Sequence, residues 1–366
     1  MARIVLESLF AKPGLATFNA GEESLLMQYL QRRTASRRVE FVSEIQDLQL
    51  YRNGRTQAGY QYTSFGFLRV CRYLGAGLST IVRDVFGVVR RSDMEAWMFD
   101  PARAVHIFND VLSLRFQRMT ERQMVRSEDE KLLEGLIGAK HRLLDNYEFC
   151  DMTRQLLAQQ SRPICLHQAT VNSRRLVLCF RAQDPVLQIK IGGQTLPIYD
   201  GYYLINSEVG GGIHGLHALF SSLGRVLGES SDELRIAHAG KKFQQRLADM
   251  LYLLTSQRHD VNLLQKIIMK AIQAPMITTT AGEDERERCE KRIGKHLHQC
   301  GVPKWLLSDV FLLARQLSEG ADVNLLHLVQ ALSCQVAKMD LDRRQQLEQL
   351  NYQLLFGGIK LGSAHG

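Results

Sequence analysis

The sequence contains no apolar run approaching the roughly 20 residues that a membrane-spanning helix needs. No internal repeat and no low-complexity tract is present, so repeat arrays and linker-like chains are excluded. Met1–Phe10 is apolar, but Glu7 interrupts it and Ala11-Lys12-Pro13-Gly14 follows, which does not read as a secretory signal. The seven cysteines include no CxxC pair, and their number is odd. A disulfide framework is therefore not indicated, and reduced, buried thiols in a cytoplasmic protein are expected. The chain also lacks a nucleophile elbow, a kinase motif set, a dinucleotide fingerprint and a P-loop. Nothing in it specifies a catalytic constellation or a cofactor, and whether it is an enzyme stays open, with a non-enzyme favoured.

What is present is enough apolar material for at least one sizeable core: 45% of 366 residues, with 23% charged. The net charge is +8, and among the 46 basic residues 33 are Arg and 13 Lys. Arginine suits phosphate because its planar fork donates two parallel hydrogen bonds. Residues 1–126 hold 18 basic and 12 acidic residues, a net of +6, and residues 161–246 hold 10 and 6, a net of +4. The segment 127–160 is acidic, and 247–366 is nearly balanced. A basic balance in the first two of these regions attracts polyanions, nucleic acid first among them, although a solvated basic surface has the same composition.

The periodicities predict an α+β chain with a mixed β core in the middle and a mostly helical C-terminal domain. Residues 1–100 read as an N-terminal α+β region, with a helix over 20–33, strands at Val39–Val42 and Leu48–Tyr51, and a helix capped by Thr63-Ser64. Residues 101–160 read as helical, on stripes that include Leu132, Leu133, Leu136, Leu143 and Leu144. Residues 161–245 are β-rich, with strands at Leu176–Arg181, Gln188–Ile191, Gly201–Asn206 and Leu234–His238. A helical stripe through Leu216, Leu219, Phe220 and Leu223 interrupts them. Residues 246–366 are helical almost throughout.

Four groups of residues carry chemistry worth weighing. Glu208 to Gly212 follows a strand, and its glycines allow backbone N–H groups to approach an anion. A glycine-rich turn with Glu208 capping a following helix is the plainer alternative. Glu208, His214, His217 and His238 are candidate metal ligands, or ordinary core and surface histidines. Cys289, His296, His298 and Cys300 resemble zinc ligands, but Cys289, Ile293, Leu297 and Cys300 also form one helical stripe that would bury both thiols; no metal site is assigned. The arginine doublets Arg32-Arg33, Arg37-Arg38 and Arg174-Arg175, with Lys241 and Lys242, would contact phosphates, and nearby Phe41, Tyr51, Tyr60, Tyr62 and Phe65 would stack bases.

At Asn206-Ser207-Glu208-Val209-Gly210 the chain resembles a large family of phage and plasmid-like proteins, classed as a domain of unknown function. Members show this run after a strand, as in Gly201–Gly210, and a short strand ending in His then Gly downstream, as in Arg235-Ile236-Ala237-His238-Ala239-Gly240. An early helix precedes the core, as in Tyr62–Leu74. Many members carry Cys-Thr-Asn-Gly soon after the motif; here Phe220-Ser221-Ser222-Leu223-Gly224 stands there, without the Cys and Asn. The resemblance is best over 160–245 and implies a protein of a phage, plasmid or integrated element, with no implied activity.

Three readings follow. The first is a non-enzymatic nucleic-acid-binding protein, engaging DNA, single strands especially, in replication or recombination, with an oligomer interface on residues 241–356. The second is a protein-interaction or self-assembly protein with incidental basic charge. The third is a metal-dependent enzyme centred on Glu208.

Overall fold

The computed structural model describes residues 14–51, 55–74, 101–116, 122–139, 141, 143–159, 163–172, 175–191, 194–221, 226–229, 233–238, 242–256, 260–280, 282–336, 339 and 341–357. The chain is α+β. In order, β1 (Ala16–Asn19), α1 (Glu23–Ser36), β2 (Arg37–Phe41), β3 (Gln61–Tyr62), α2 (Ser64–Leu74), α3 (Pro101–Arg115), β4 (Arg122–Ser127), β5 (Leu132–Gly138) and α4 (Asn146–Leu157) precede the central strands. These are β6 (Ile164–Val171), β7 (Leu176–Ala182), β8 (Leu187–Ile191), β9 (Gln194–Ser207), β10 (Gly212–Phe220), β11 (Val226–Glu229) and β12 (Leu234–Ile236). The C-terminal part is α5 (Phe243–Ser256), α6 (Val261–Gln273), β13 (Pro275–Ile277), α7 (Glu283–Gln299), α8 (Lys304–Leu317), β14 (Val323–Asn324), α9 (Leu325–Val336) and α10 (Leu341–Leu355). No described helix is long and apolar enough to cross a membrane.

Two sheets position the site. The larger runs β1-β6-β7-β9-β10-β11, with β8 on β9 and β12 on β10, and its pairings are antiparallel. The smaller runs β2-β4-β5-β3, drawing strands from both sides of residue 100. The larger sheet is buried on both faces. Leu176, Leu178, Phe180, Leu204 and Ile213 pack with Leu26, Leu30, Phe149 and Leu247 on one side. Val177, Cys179, Tyr203, Ile205, Leu216 and Phe220 fill the other. Between that second face and α10, the half-buried Arg344 bonds Glu348 at 2.8 Å and Gln168 at 3.0 Å. The C-terminal helices pack around a further core, including Ile268, Leu297, Val310, Leu328 and Leu332, which also takes in Leu187, Ile189, Ile198 and Leu219 of the larger sheet.

Burial on both faces corrects the helix expected through Leu216, Leu219 and Phe220. A strand covered on both sides carries apolar residues at consecutive positions, and these also satisfy a three-residue spacing. The segment is β10, paired with β9 from Gly212↔Ser207 to Phe220↔Tyr199, while Leu223 lies outside the described residues. Likewise Leu132, Leu133 and Leu136 belong to strand β5, hydrogen-bonded between β4 and β3, and not to a helix. Leu48–Tyr51 follows a short 3-10 turn at Ile45–Asp47 and is not a strand. Thr63 caps α2 as its position predicts, its hydroxyl accepting from the Gly66 N–H at 3.0 Å.

Candidate functional site

The site is built around the turn Glu208-Val209-Gly210-Gly211, which joins β9 to β10. Three consecutive residues there, Gly210, Gly211 and Gly212, have φ of 103°, 127° and 81°, a left-handed path that glycine follows without strain. A Cβ on Gly212 would lie 2.2 Å from the Ile236 carbonyl oxygen, and one on Gly210 would lie 2.7 Å from the Arg69 guanidinium. The Ser207 hydroxyl donates to the Gly210 carbonyl at 2.7 Å and closes the turn.

One side of the turn is a joint between the two sheets. Val209 is fully buried with Val125 and Ile137, over Gly135, where a Cβ would come within 2.9 Å of its own Cβ. Glu208, 1% exposed, accepts the Asn146 N–H at 2.6 Å through one oxygen and faces the Arg37 guanidinium with the other. Arg37 also donates from Nε to Glu134 at 2.9 Å, and Arg33 reaches the other Glu134 oxygen at 2.5 Å. Asn206, fully buried, donates to the Leu144 carbonyl at 3.2 Å and to Asn146 Oδ1 at 2.9 Å. Two guanidinium groups thus face two carboxylates in the interior. Burial alone would lower the Arg37 pKa, but Glu208 and Glu134 outweigh it and hold the charge. Burial also pushes the Glu134 carboxyl above its ordinary value, against the pull of Arg37 and Arg33.

The other side of the turn opens into a cleft of about 450 Å³. Arg69 and Arg72 of α2, Arg175 and His214 line it, with Phe65 as an aromatic wall. The Arg69 guanidinium stacks 5.0 Å from the Phe65 ring centre. Arg175 donates to Gln345 at 3.1 Å. Glu233 is the carboxylate of the cleft: His214 Nδ1 and Arg235 face it, and His214 Nε2 lies 2.8 Å from the Gly211 carbonyl. Burial opposes ionisation of Glu233, but hydrogen bonds with His214 and Arg235 hold its carboxyl below the ordinary value.

The structure separates members of the expected arginine doublets. Neighbouring residues in a strand point to opposite faces, and neighbours in a helix diverge by about 100°. Arg32 and Arg38 are exposed, whereas Arg33 and Arg37 turn inward to carboxylates; Arg37 is therefore a buried structural cation and not a surface phosphate contact. Arg175 lines the cleft, and Lys242 is exposed. Arg174, Lys241 and Gly240 lie outside the described residues. Arg69 and Arg72 form no doublet and so escape the sequence pattern, although their spacing of three places them on one helix face.

The metal constellations are not assembled. His214 and His217 sit on strand β10, where a spacing of three sends side chains to opposite faces, not on a helix. His238 is buried beside His141, ring centres 5.2 Å apart, and Glu208 is paired with Arg37. Glu208 does not cap a following helix, because strand β10 follows it; its carboxylate instead accepts the first N–H of α4. Cys300 is exposed and Cys289 half-buried, so the stripe does not bury both thiols, and His298 faces the Val302 carbonyl at 3.0 Å. Among the described residues no group of three or more His, Cys, Asp or Glu is placed to hold a metal ion.

No protein-family model matches the chain, and neither a curated protein nor a solved structure matches it at a significant level.

Proposed function

We propose that this is a non-enzymatic nucleic-acid-binding protein of a phage, plasmid or integrated element, which engages single-stranded DNA in the cytoplasm during replication or recombination. The observation that carries this reading is the cleft beside the glycine turn, where Arg69, Arg72 and Arg175 converge with His214 against one carboxylate, Glu233. Arginines supply phosphate contacts, and the Phe65 ring with its stacked guanidinium supplies a flat surface for an unpaired base. The cleft has the volume of a small-ligand pocket, which favours unpaired nucleotides over a duplex. Arg32, Arg38 and Lys242 are exposed and add positive charge to the surface.

The test is binding of the nuclease-treated protein to labelled single- and double-stranded oligonucleotides across a salt series. The expected result is preferential single-strand binding that weakens log-linearly with salt. Replacing Arg69 and Arg72 by Ala should weaken it for all sequences alike and lower the salt slope by about one for each phosphate no longer neutralised. No binding at low salt overturns the reading.

A further inference from the structure

We infer that β2 is a dimerisation strand, on which a second copy of this chain lays its own β2 antiparallel, joining two four-stranded sheets into one. Among the described residues β2 is the edge of its sheet. Its residues Arg38, Val39, Glu40 and Phe41 are exposed, Val39 at 37% and Phe41 at 56%. An edge strand with exposed apolar residues is a template for another strand.

The hydrogen-bond parity of the strand decides which groups face outward. The register pairs Arg37 with Ser127 through Phe41 with Gln123. Flanking it, Val42 N–H donates to Arg122 at 3.1 Å and Glu128 N–H to Ser36 at 3.0 Å. In an antiparallel ladder such bonded pairs recur every second residue, so residues 36, 38, 40 and 42 bond β4. The N–H and C=O groups of Arg37, Val39 and Phe41 point to the open edge. The Arg37 N–H is already given to the Thr34 carbonyl. The Arg37 carbonyl accepts from the Arg38 side chain at 3.1 Å.

A two-fold axis through Val39 fits this pattern. Val39 then exchanges both backbone bonds with Val39 of the other copy. Each Phe41 N–H reaches the opposite Arg37 carbonyl once the Arg38 side chain leaves it. Arg38 falls opposite the other copy's Glu40, twice, at the non-bonded pair positions where strands approach to about 4.5 Å and opposite charges stabilise. Glu40 is already flanked by Arg126 of its own chain, so each carboxylate would sit between two cations. Moving the axis by one residue sets Glu40 against Glu40, so the charges select the register and the partner together. The contact is isologous and closes at two copies.

The experiment is sedimentation equilibrium of the full, nuclease-treated chain over about a hundredfold range of micromolar concentration, the regime expected for a small interface. Wild type should show a monomer–dimer equilibrium. Arg38→Glu and Glu40→Arg, each alone, set like charges opposite and should weaken dimerisation about tenfold or more. An equimolar mixture of the two variants restores both opposite-charge pairs and should associate, as should the double variant. Val39→Pro removes an outward N–H but no bond to β4, so it should abolish the dimer while the thermal midpoint holds. A chain monomeric throughout, a dimer indifferent to the reversals, or single variants that fail to associate when mixed would each overturn the inference. Nucleic acid is absent from every arm, so these outcomes are independent of the binding reading.

Discussion

The Arg37 guanidinium and the Glu208 carboxylate meet in the interior, at the seam where the turn after β9 enters the smaller sheet. Glu208 belongs to the Asn-Ser-Glu-Val-Gly run, and each neighbour serves the same seam. Asn206 holds the segment before α4, Val209 fills the space over Gly135, and the glycines turn the chain back into β10. The motif is accounted for as a joint, and the cleft lies on its outer side.

Breaking that pair should cost stability heavily. Arg37→Met or Glu208→Met leaves a buried charge without one of its partners, and each is expected to lose about 3–5 kcal/mol. The double variant should lose less than the sum, because the two residues are coupled. Urea unfolding of the four proteins measures both; strictly additive losses would contradict a direct pair.

The glycines of the turn are separable. Gly211→Ala meets only Ser207 atoms, at 3.5 Å and beyond, so its cost is the left-handed backbone alone, about 1 kcal/mol. Gly212→Ala adds a collision with the Ile236 carbonyl and should cost about 2–3 kcal/mol. Thermal unfolding of the two variants should rank them in that order.

Burial, with His141 and His214 nearby, lowers the His238 pKa to about 4 from an ordinary 6.5. The folded state therefore favours the neutral ring. The stability this group contributes is complete above pH 6.5 and is lost as pH falls towards 4, by up to about 1.4 kcal/mol per pH unit. Melting temperatures measured from pH 7 to 4.5 should fall more steeply for wild type than for His238→Asn; parallel curves would show that His238 does not titrate this way.

Thiol reactivity should follow exposure. Cys300 is exposed, whereas burial pushes the Cys71 and Cys150 thiols up to about 12. A disulfide reagent at neutral pH should label one thiol fast in the native protein, and Cys300→Ser should remove that fast phase.

The sequence by itself determined the α+β class, the β-rich middle, the helical C-terminal third, the Thr63 cap and the basic balance. These depend on local pattern and composition, which need no knowledge of neighbours. Tertiary structure alone decided that β5 and β10 are strands, because apolar runs covered on both faces fit either period. It also decided which arginine of the doublets Arg32-Arg33 and Arg37-Arg38 meets solvent. Arg37 and Arg38 differ by nothing local; they differ because Glu134 and Glu208, distant in the chain, lie beneath one face of β2 and not the other. A charge carries its chemistry in sequence, but its role is set by the dielectric and the partners around it, and folding supplies both.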